Sequence, residues 1–213
     1  MKLQLALDLF DLETALAVTK EARDYVDIIE IGTPFLMQYG LDAVRRFRDA
    51  FPDKEILADA KIMDAGRLEV TAALEAGADY ATVLAVTDLL TMQECVDAAN
   101  RLGKRVVADM ICVSDLPARA CELEAIGVHG LAVHTGVDQQ KAGRTPLGDL
   151  RVLKAHARRA EISVAGGISL QTVPAYAALS PDVLIVGGAI GTAPDPAKAA
   201  REIWEAMRAC EAR

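Results

Sequence analysis

Aromatic residues make up only 4% of the 213-residue chain, and there is a single tryptophan. Alanine, valine, leucine and isoleucine abound instead, a composition that suits helices packed tightly on a buried sheet. Cysteine is sparse, and Cys95, Cys112, Cys121 and Cys210 include no C-x-x-C pair, so neither a zinc nor a redox motif is signalled. Cys95, Cys112 and Cys121 fall in apolar helical or strand-end contexts and are expected as inert core fillers in a reduced, cytoplasmic setting. There is no run of about 18 apolar residues of the kind a membrane-spanning helix needs. The opening MKLQLALDLF is short and, with Asp8 inside it and Asp11 directly after it, too acidic to read as a secretion signal. Positive charge is in deficit, 23 Lys and Arg against 31 Asp and Glu for a net −8. That argues against nucleic acid or a membrane surface as the main partner, while leaving room for a locally favourable anion site.

What the chain does have is 52% hydrophobic residues, which excludes disorder, and enough length to bury a core without a disulfide or metal staple. Eight short, continuously apolar runs recur: LQLALD (3–8), VDIIEIG (26–32), EILADAK (55–61), ADYATVLAV (78–86), KRVVADMI (104–111), HGLAVHTG (129–136), ISVAGG (162–167) and DVLIVGG (182–188). Such runs are expected of strands buried on both faces. Amphipathic stretches lie between them, as in LETALAVTKEARDY, where Leu12, Leu16 and Thr19 share one helical face and Lys20, Glu21 and Arg23 the other. Glycine closes several helices, in EAGAD (75–79), RLGK (101–104) and AIGVH (125–129). Strand ends are expected at Asp8, Glu30, Asp59, Leu84, Asp109, His134, Ala165 and Gly187, spaced 22 to 31 residues apart. Eight such units predict an α/β fold of the (β/α)8 TIM-barrel type, a single domain over 1–213; an open doubly wound sheet is the rival.

In a (β/α)8 barrel chemistry sits at the C-terminal ends of the strands. Here those ends carry Asp8, Glu30, Asp59 with Lys61, Asp109 and His134, six polar groups converging on one rim. The segment Asp59-Ala60-Lys61-Ile62-Met63-Asp64-Ala65-Gly66 is the strongest local signal. Alternation puts Asp59 and Lys61 on one side of the strand, where they can pair, and Gly66 permits a tight bend. The bland alternative is a buried ion pair with Asp64 as a helix N-cap. Strands 7 and 8 end in Ala165-Gly166-Gly167-Ile168 and Gly187-Gly188-Ala189-Ile190, where paired glycines let backbone N–H groups approach a phosphate.

LALD, EIGTP, LADAKIMDAG, VADMI, AVHTGVDQQ, VAGGI and IVGGAI occur in the order and spacing of a known family. The chain resembles the 3-hexulose-6-phosphate synthase family of the orotidine 5′-monophosphate decarboxylase superfamily over essentially its whole length. The resemblance implies a ribulose-phosphate-binding barrel that works as a homodimer and joins formaldehyde to D-ribulose 5-phosphate in a Mg²⁺-dependent aldol reaction. A sister branch decarboxylates 3-keto-L-gulonate 6-phosphate. That branch carries an arginine where Val137 stands and usually another in the 187–189 stretch; their absence favours the synthase. One small departure is Ala85, where relatives often have glycine.

From the resemblance, Glu30 and Asp59 are the expected ligands of Mg²⁺, with Mn²⁺ also possible. Lys61 is expected to stay charged between Asp59 and Asp64 and to support an enediolate, which disfavours a Schiff base. His134 is the candidate base, since an unperturbed imidazole titrates at roughly 6.5; His129 and His156 are expected to be structural or exposed. Asp8 and Asp109 would bind substrate hydroxyls, and the amides of Gly166, Gly167, Gly187, Gly188 and Ala189 the phosphate. Asp64 is expected to cross a dimer interface and complete the neighbour's site, with Pro34-Phe35-Leu36-Met37 part of that interface. The alternatives are the decarboxylase, a non-catalytic phosphosugar-binding barrel and a ribulose-phosphate epimerase.

Overall fold

Strands and helices alternate from the first residues onward in a computed structural model that describes residues 1–8 and 10–211. Leu9, Ala212 and Arg213 of the expected 1–213 domain lie outside the described residues. The first half runs β1 (Lys2–Leu7), α1 (Leu12–Ala22), β2 (Ile28–Ile31), α2 (Thr33–Tyr39), α3 (Leu41–Ala50), β3 (Glu55–Ile62), α4 (Gly66–Glu75), β4 (Tyr80–Leu84) and α5 (Leu89–Arg101). The second runs β5 (Arg105–Asp109), α6 (Leu116–Ala125), β6 (Gly130–His134), α7 (Val137–Lys141), α8 (Leu147–His156), β7 (Glu161–Ala165), α9 (Val173–Ala177), β8 (Val183–Val186), α10 (Gly188–Gly191) and α11 (Pro196–Glu211). All neighbouring strands are parallel, and β1 pairs with both β2 and β8, so the sheet closes into a barrel and the open sheet is excluded.

Local chemistry explains the punctuation. Asp11, Asp88 and Asp115 cap α1, α5 and α6, each carboxylate accepting an orphan N–H of the first turn. Gly77 and Gly103 adopt φ of +117° and +64° as their helices turn into the next strand, the left-handed region that favours glycine. The buried face of α1 is Ala15, Val18, Thr19 and Ala22; Leu12 and Leu16 flank it, half-buried.

Two apolar layers result. The larger lies between sheet and helices, with Phe35, Phe47, Leu3, Leu5 and Ile29 among its fully buried members. The smaller plugs the barrel interior with Ile28, Leu57, Tyr80, Val107, Ala132 and Val183. Because side chains on a strand alternate, the residue two positions on faces inward again, nearer the C-terminal rim. Those residues are Glu30, Asp59, Thr82, Asp109 and His134, with Ile185 the one apolar member. An apolar plug therefore carries a polar layer directly above it. At the opposite end the Arg48 guanidinium donates to the carbonyls of Gly77 and Lys54 at 2.9 Å each and pairs with Asp79, which also pairs with Lys104 and accepts the Ile56 N–H.

Two cysteine expectations are corrected. Cys95 is buried, but Cys112 and Cys121 are exposed. Cys112 lies just beyond β5 with φ +63°, and Cys121 lies on the outer face of α6, so neither fills the core.

Candidate active site

The polar layer opens into a cavity of about 690 Å³ at the C-terminal rim. Every expected site residue except Asp64 lines it. A continuous hydrogen-bonded chain crosses its floor. Lys61 Nζ donates to Asp59 Oδ2 at 2.6 Å and to Asp109 Oδ2 at 3.1 Å. His134 Nδ1 lies 2.9 Å from the same Asp109 oxygen. An ionised carboxylate only accepts, so Nδ1 carries a hydrogen, and whenever the ring is neutral the lone pair is on Nε2. The Ile111 N–H donates to the other Asp109 oxygen at 3.0 Å. Burial acts to raise the Asp109 pKa, but the His134 hydrogen bond and the charges of His134 and Lys61 outweigh it, and the group is held below its ordinary value. Burial works against the Lys61 charge, yet Asp59 and Asp109 together raise its pKa and keep the ammonium. The second carboxylate flanking Lys61 is thus Asp109. Asp64, expected beside it, is exposed and accepts only the neighbouring Ala65 N–H among the described residues. Nor does Asp64 cap α4, whose N-cap is Ala65 at φ +50°.

Asp59 is held from three sides. Thr82 Oγ1 donates to its Oδ1 at 2.7 Å, and Thr33 Oγ1 lies 2.8 Å from its Oδ2, which also receives Lys61. Glu30 is buried on the cavity floor beside it; burial first, then the Asp59 charge, pushes its pKa up to about 8, against the opposing hydrogen bond from Gln4 Nε2 to Glu30 Oε2 at 2.6 Å. Burial and Asp59 also raise the Asp8 pKa. Carboxylates that crowd one another in this way form an all-oxygen donor set for a hard cation, which binds through one or two carboxylates and keeps several waters. No group of three or more His, Cys, Asp or Glu side chains that could hold a metal occurs among the described residues. Glu30 and Asp59 fit a water-rich Mg²⁺ site rather than a closed cage.

The opposite wall is backbone. Gly166 and Gly167 adopt φ of +124° and +67°. A Cβ on Gly166 would meet the Thr135 carbonyl oxygen at 2.7 Å, whereas one on Gly188 would meet nothing closer than Thr192 Oγ1 at 3.9 Å. Gly187, Gly188 and Ala189 complete that wall where β8 gives way to α10. His129, at the other end of β6 from His134, accepts the Val106 N–H through Nδ1, and His156 is an exposed helix residue. Both are outside the cavity, as expected.

Gln4, Thr33, Thr82 and Gln140 were not legible as site residues. Gln4 was signalled faintly by its parity with Ala6 and Asp8 in an otherwise apolar strand. Thr82 gave no signal, because threonine is an ordinary strand former.

An imidazole oriented by a carboxylate, set across a barrel mouth from glycine-rich backbone, places the chain among the (β/α)8-barrel enzymes that act on small anionic substrates. Its membership is narrower than that. The chain belongs to the orotidine 5′-phosphate decarboxylase / HUMPS family, which it matches over residues 1–203. It is 44% identical over 203 residues to a 3-hexulose-6-phosphate synthase of Bacillus subtilis (strain 168), covering 95% of this chain and 97% of that one. The crystal structure of 3-hexulose-6-phosphate synthase from Salmonella typhimurium superposes with a TM-score of 0.97 at 55% identity, covering 99% of this chain and 100% of that one. A 3-keto-L-gulonate-6-phosphate decarboxylase from Vibrio cholerae gives 0.86 at 28% identity, covering 98% and 97%.

Proposed function

We infer that this chain is an aldehyde-lyase of the 3-hexulose-6-phosphate synthase type, condensing formaldehyde with D-ribulose 5-phosphate to D-arabino-3-hexulose 6-phosphate. The observation that carries the reading is the Asp59–Lys61–Asp109–His134 chain in the barrel mouth. His134 Nε2 takes the proton from C1 of the ketose. The Lys61 ammonium, held charged, stabilises the oxygens of the resulting enediolate. C1 then attacks the formaldehyde carbon, a carbon–carbon bond forms, and the former formaldehyde oxygen takes a proton. Asp109 meets a substrate hydroxyl with its remaining acceptor capacity and also orients the base; Asp8 meets another hydroxyl. Amides of Gly166, Gly167, Gly187, Gly188 and Ala189 receive the phosphate.

Glu30 and Asp59 would hold Mg²⁺, or Mn²⁺, which when bound supplies positive charge against that developing on the ketose oxygens. The decarboxylase alternative lacks support at the two places that distinguish it: Val137 is on the cavity wall and exposed, and 187–189 reads Gly-Gly-Ala, so neither offers a guanidinium.

Two further readings belong to the proposal. The enzyme is a homodimer with shared sites: Met37, Leu68 and Leu90 are 83%, 72% and 79% exposed, a costly arrangement for large apolar side chains left in water. Of the apolar stretch after β2, Pro34 and Met37 face outward, while Phe35 turns into the core against Tyr39 and Phe47. A cytoplasmic location is supported by four free thiols, two of them exposed; among the described residues no helix is long and apolar enough to cross a membrane. The deciding assay is formaldehyde consumption with ribulose 5-phosphate, run with and without a chelator and beside 3-keto-L-gulonate 6-phosphate. Faster turnover of the gulonate would reverse the assignment, and full activity in excess chelator would remove the metal.

A further inference from the structure

We propose that Thr82 is a positioning residue for the reaction: its one hydroxyl fixes the spacing between the Asp59 carboxylate and the Lys61 ammonium. This rests on the function proposed above for those two groups. The β3–β4 ladder is irregular where they lie. Ala58 pairs with Ala81 and Ile62 with Val83, so β3 spends four steps where β4 spends two. Such a bulge re-aims side chains but leaves backbone groups without ladder partners. Lys61 sits inside it at φ +46°, a conformation that a side-chain-bearing residue keeps only when its surroundings hold it there.

Thr82, on β4 opposite the bulge, supplies the hold. Its Oγ1 accepts the Lys61 N–H at 2.9 Å and donates to Asp59 Oδ1 at 2.7 Å. A hydroxyl has one hydrogen and two lone pairs, so these roles are complementary and simultaneous. Thr82 is itself buried, in a strand whose β-branched side chain has little rotamer freedom. One atom therefore pins the backbone of Lys61 and the carboxylate of Asp59. The Lys61 side chain, leaving from that fixed backbone, then reaches both Asp59 Oδ2 and Asp109 Oδ2. Thr33 restrains the other Asp59 oxygen, but it makes no bond to the Lys61 backbone. Among the described residues, only Thr82 ties both groups to one point.

The test compares Thr82→Val, which keeps shape and removes the hydroxyl, with Thr82→Ser, which keeps the hydroxyl. Thr82→Val should lower kcat about 10- to 100-fold, the scale of a sub-ångström to 1 Å misplacement of reacting groups. KM for ribulose 5-phosphate should stay within about threefold, because the phosphate wall is untouched. Thr82→Ser should recover most of the lost kcat, whereas a purely structural threonine would lower the melting temperature without this kcat-selective loss and rescue. Wild-type kcat in Thr82→Val, or no recovery in Thr82→Ser, overturns the proposal.

Amide hydrogen exchange gives a readout independent of turnover and of any bound metal. The Lys61 amide of the wild-type protein should be strongly protected, and that of Thr82→Val should exchange at least about tenfold faster, as expected when a buried amide loses its acceptor. If Thr82→Val does not fold, or if the wild-type protein proves not to condense formaldehyde, the wild-type exchange rate decides alone. Protection supports the hold on Lys61; exchange at the rate of an exposed loop amide overturns it.

Discussion

His134 and Asp109, at the ends of adjacent strands β6 and β5, are joined by a 2.9 Å contact from Nδ1 to Oδ2 that leaves the imidazole only one free nitrogen. Lys61 and the Ile111 N–H hold Asp109 in turn, so the orientation of the imidazole is set by a carboxylate that is itself hydrogen-bonded on both oxygens.

His134→Asn should therefore retain phosphosugar binding and lose exchange of the C1 proton with solvent deuterium by about 10²- to 10⁴-fold, the usual range for a general base. Proton NMR of ribulose 5-phosphate in D₂O measures it without formaldehyde present. Exchange at the wild-type rate would assign the proton to another group.

Gly188→Asp probes the backbone wall. The site has room for a Cβ, so the fold should survive with a near-normal melting temperature. A carboxylate set where amides face an anion should weaken ribulose 5-phosphate binding by at least about tenfold, since one misplaced like charge in a confined site is worth more than 1.4 kcal/mol. Calorimetric titration reads the affinity; an unchanged Kd would move the phosphate elsewhere.

The proposed shared active sites can be tested by complementation. Asp64 makes no hydrogen bond or ion pair to its own Lys61 among the described residues, so Asp64→Ala and Lys61→Ala proteins, each expected to be inactive, should recover on subunit exchange. A mixed dimer puts both lesions in one site and leaves the other whole. Random mixing then gives about a quarter of wild-type activity. No recovery, with exchange shown by a mass-tagged subunit, would confine Asp64 to its own chain.

His129 gives a pH dependence far from the chemistry. Burial, then the Arg105 charge, lowers its pKa below the ordinary 6.5, with Glu161 opposing. The folded state keeps this imidazole neutral while the unfolded chain takes a proton, so its contribution is fully present above about 6.5 and fades as pH falls. His129→Gln should melt lower than wild type at pH 7.5, and the difference should shrink at pH 5.5. A difference that grows on acidification would reverse the sign.

The ends of β4, β5, β6 and β7 fall at Leu84, Asp109, His134 and Ala165, where the apolar runs place them, because buried parallel strands announce themselves by continuous aliphatic sequence. The end of β3 does not. It runs on to Ile62, three residues past Asp59, because the bulge opposite Thr82 adds residues that no periodicity encodes. Asp59, Lys61, Asp109 and His134 were legible because charge inside an apolar strand is costly and stands out. Gln4, Thr33 and Thr82, neutral and compatible with strand or helix start, carry their meaning only in partners distant in sequence. Which carboxylate flanks Lys61 was hidden for the same reason: Asp64 is near it in sequence, and Asp109 is near it in space.

The Arg48–Asp79–Lys104 cluster lies at the end of the barrel away from the cavity, tying the α3–β3 turn to the start of β3 and to the α5–β5 turn. Stability reserves and reaction machinery thus occupy opposite poles of one cylinder, separated by the apolar plug. Random variation confined to the basal pole should shift how long the protein survives heat while leaving its substrate preference alone, and variation of the loops at the other pole should do the reverse. A scaffold divided this way can be hardened first and retargeted afterwards, with little need to revisit the first set of changes.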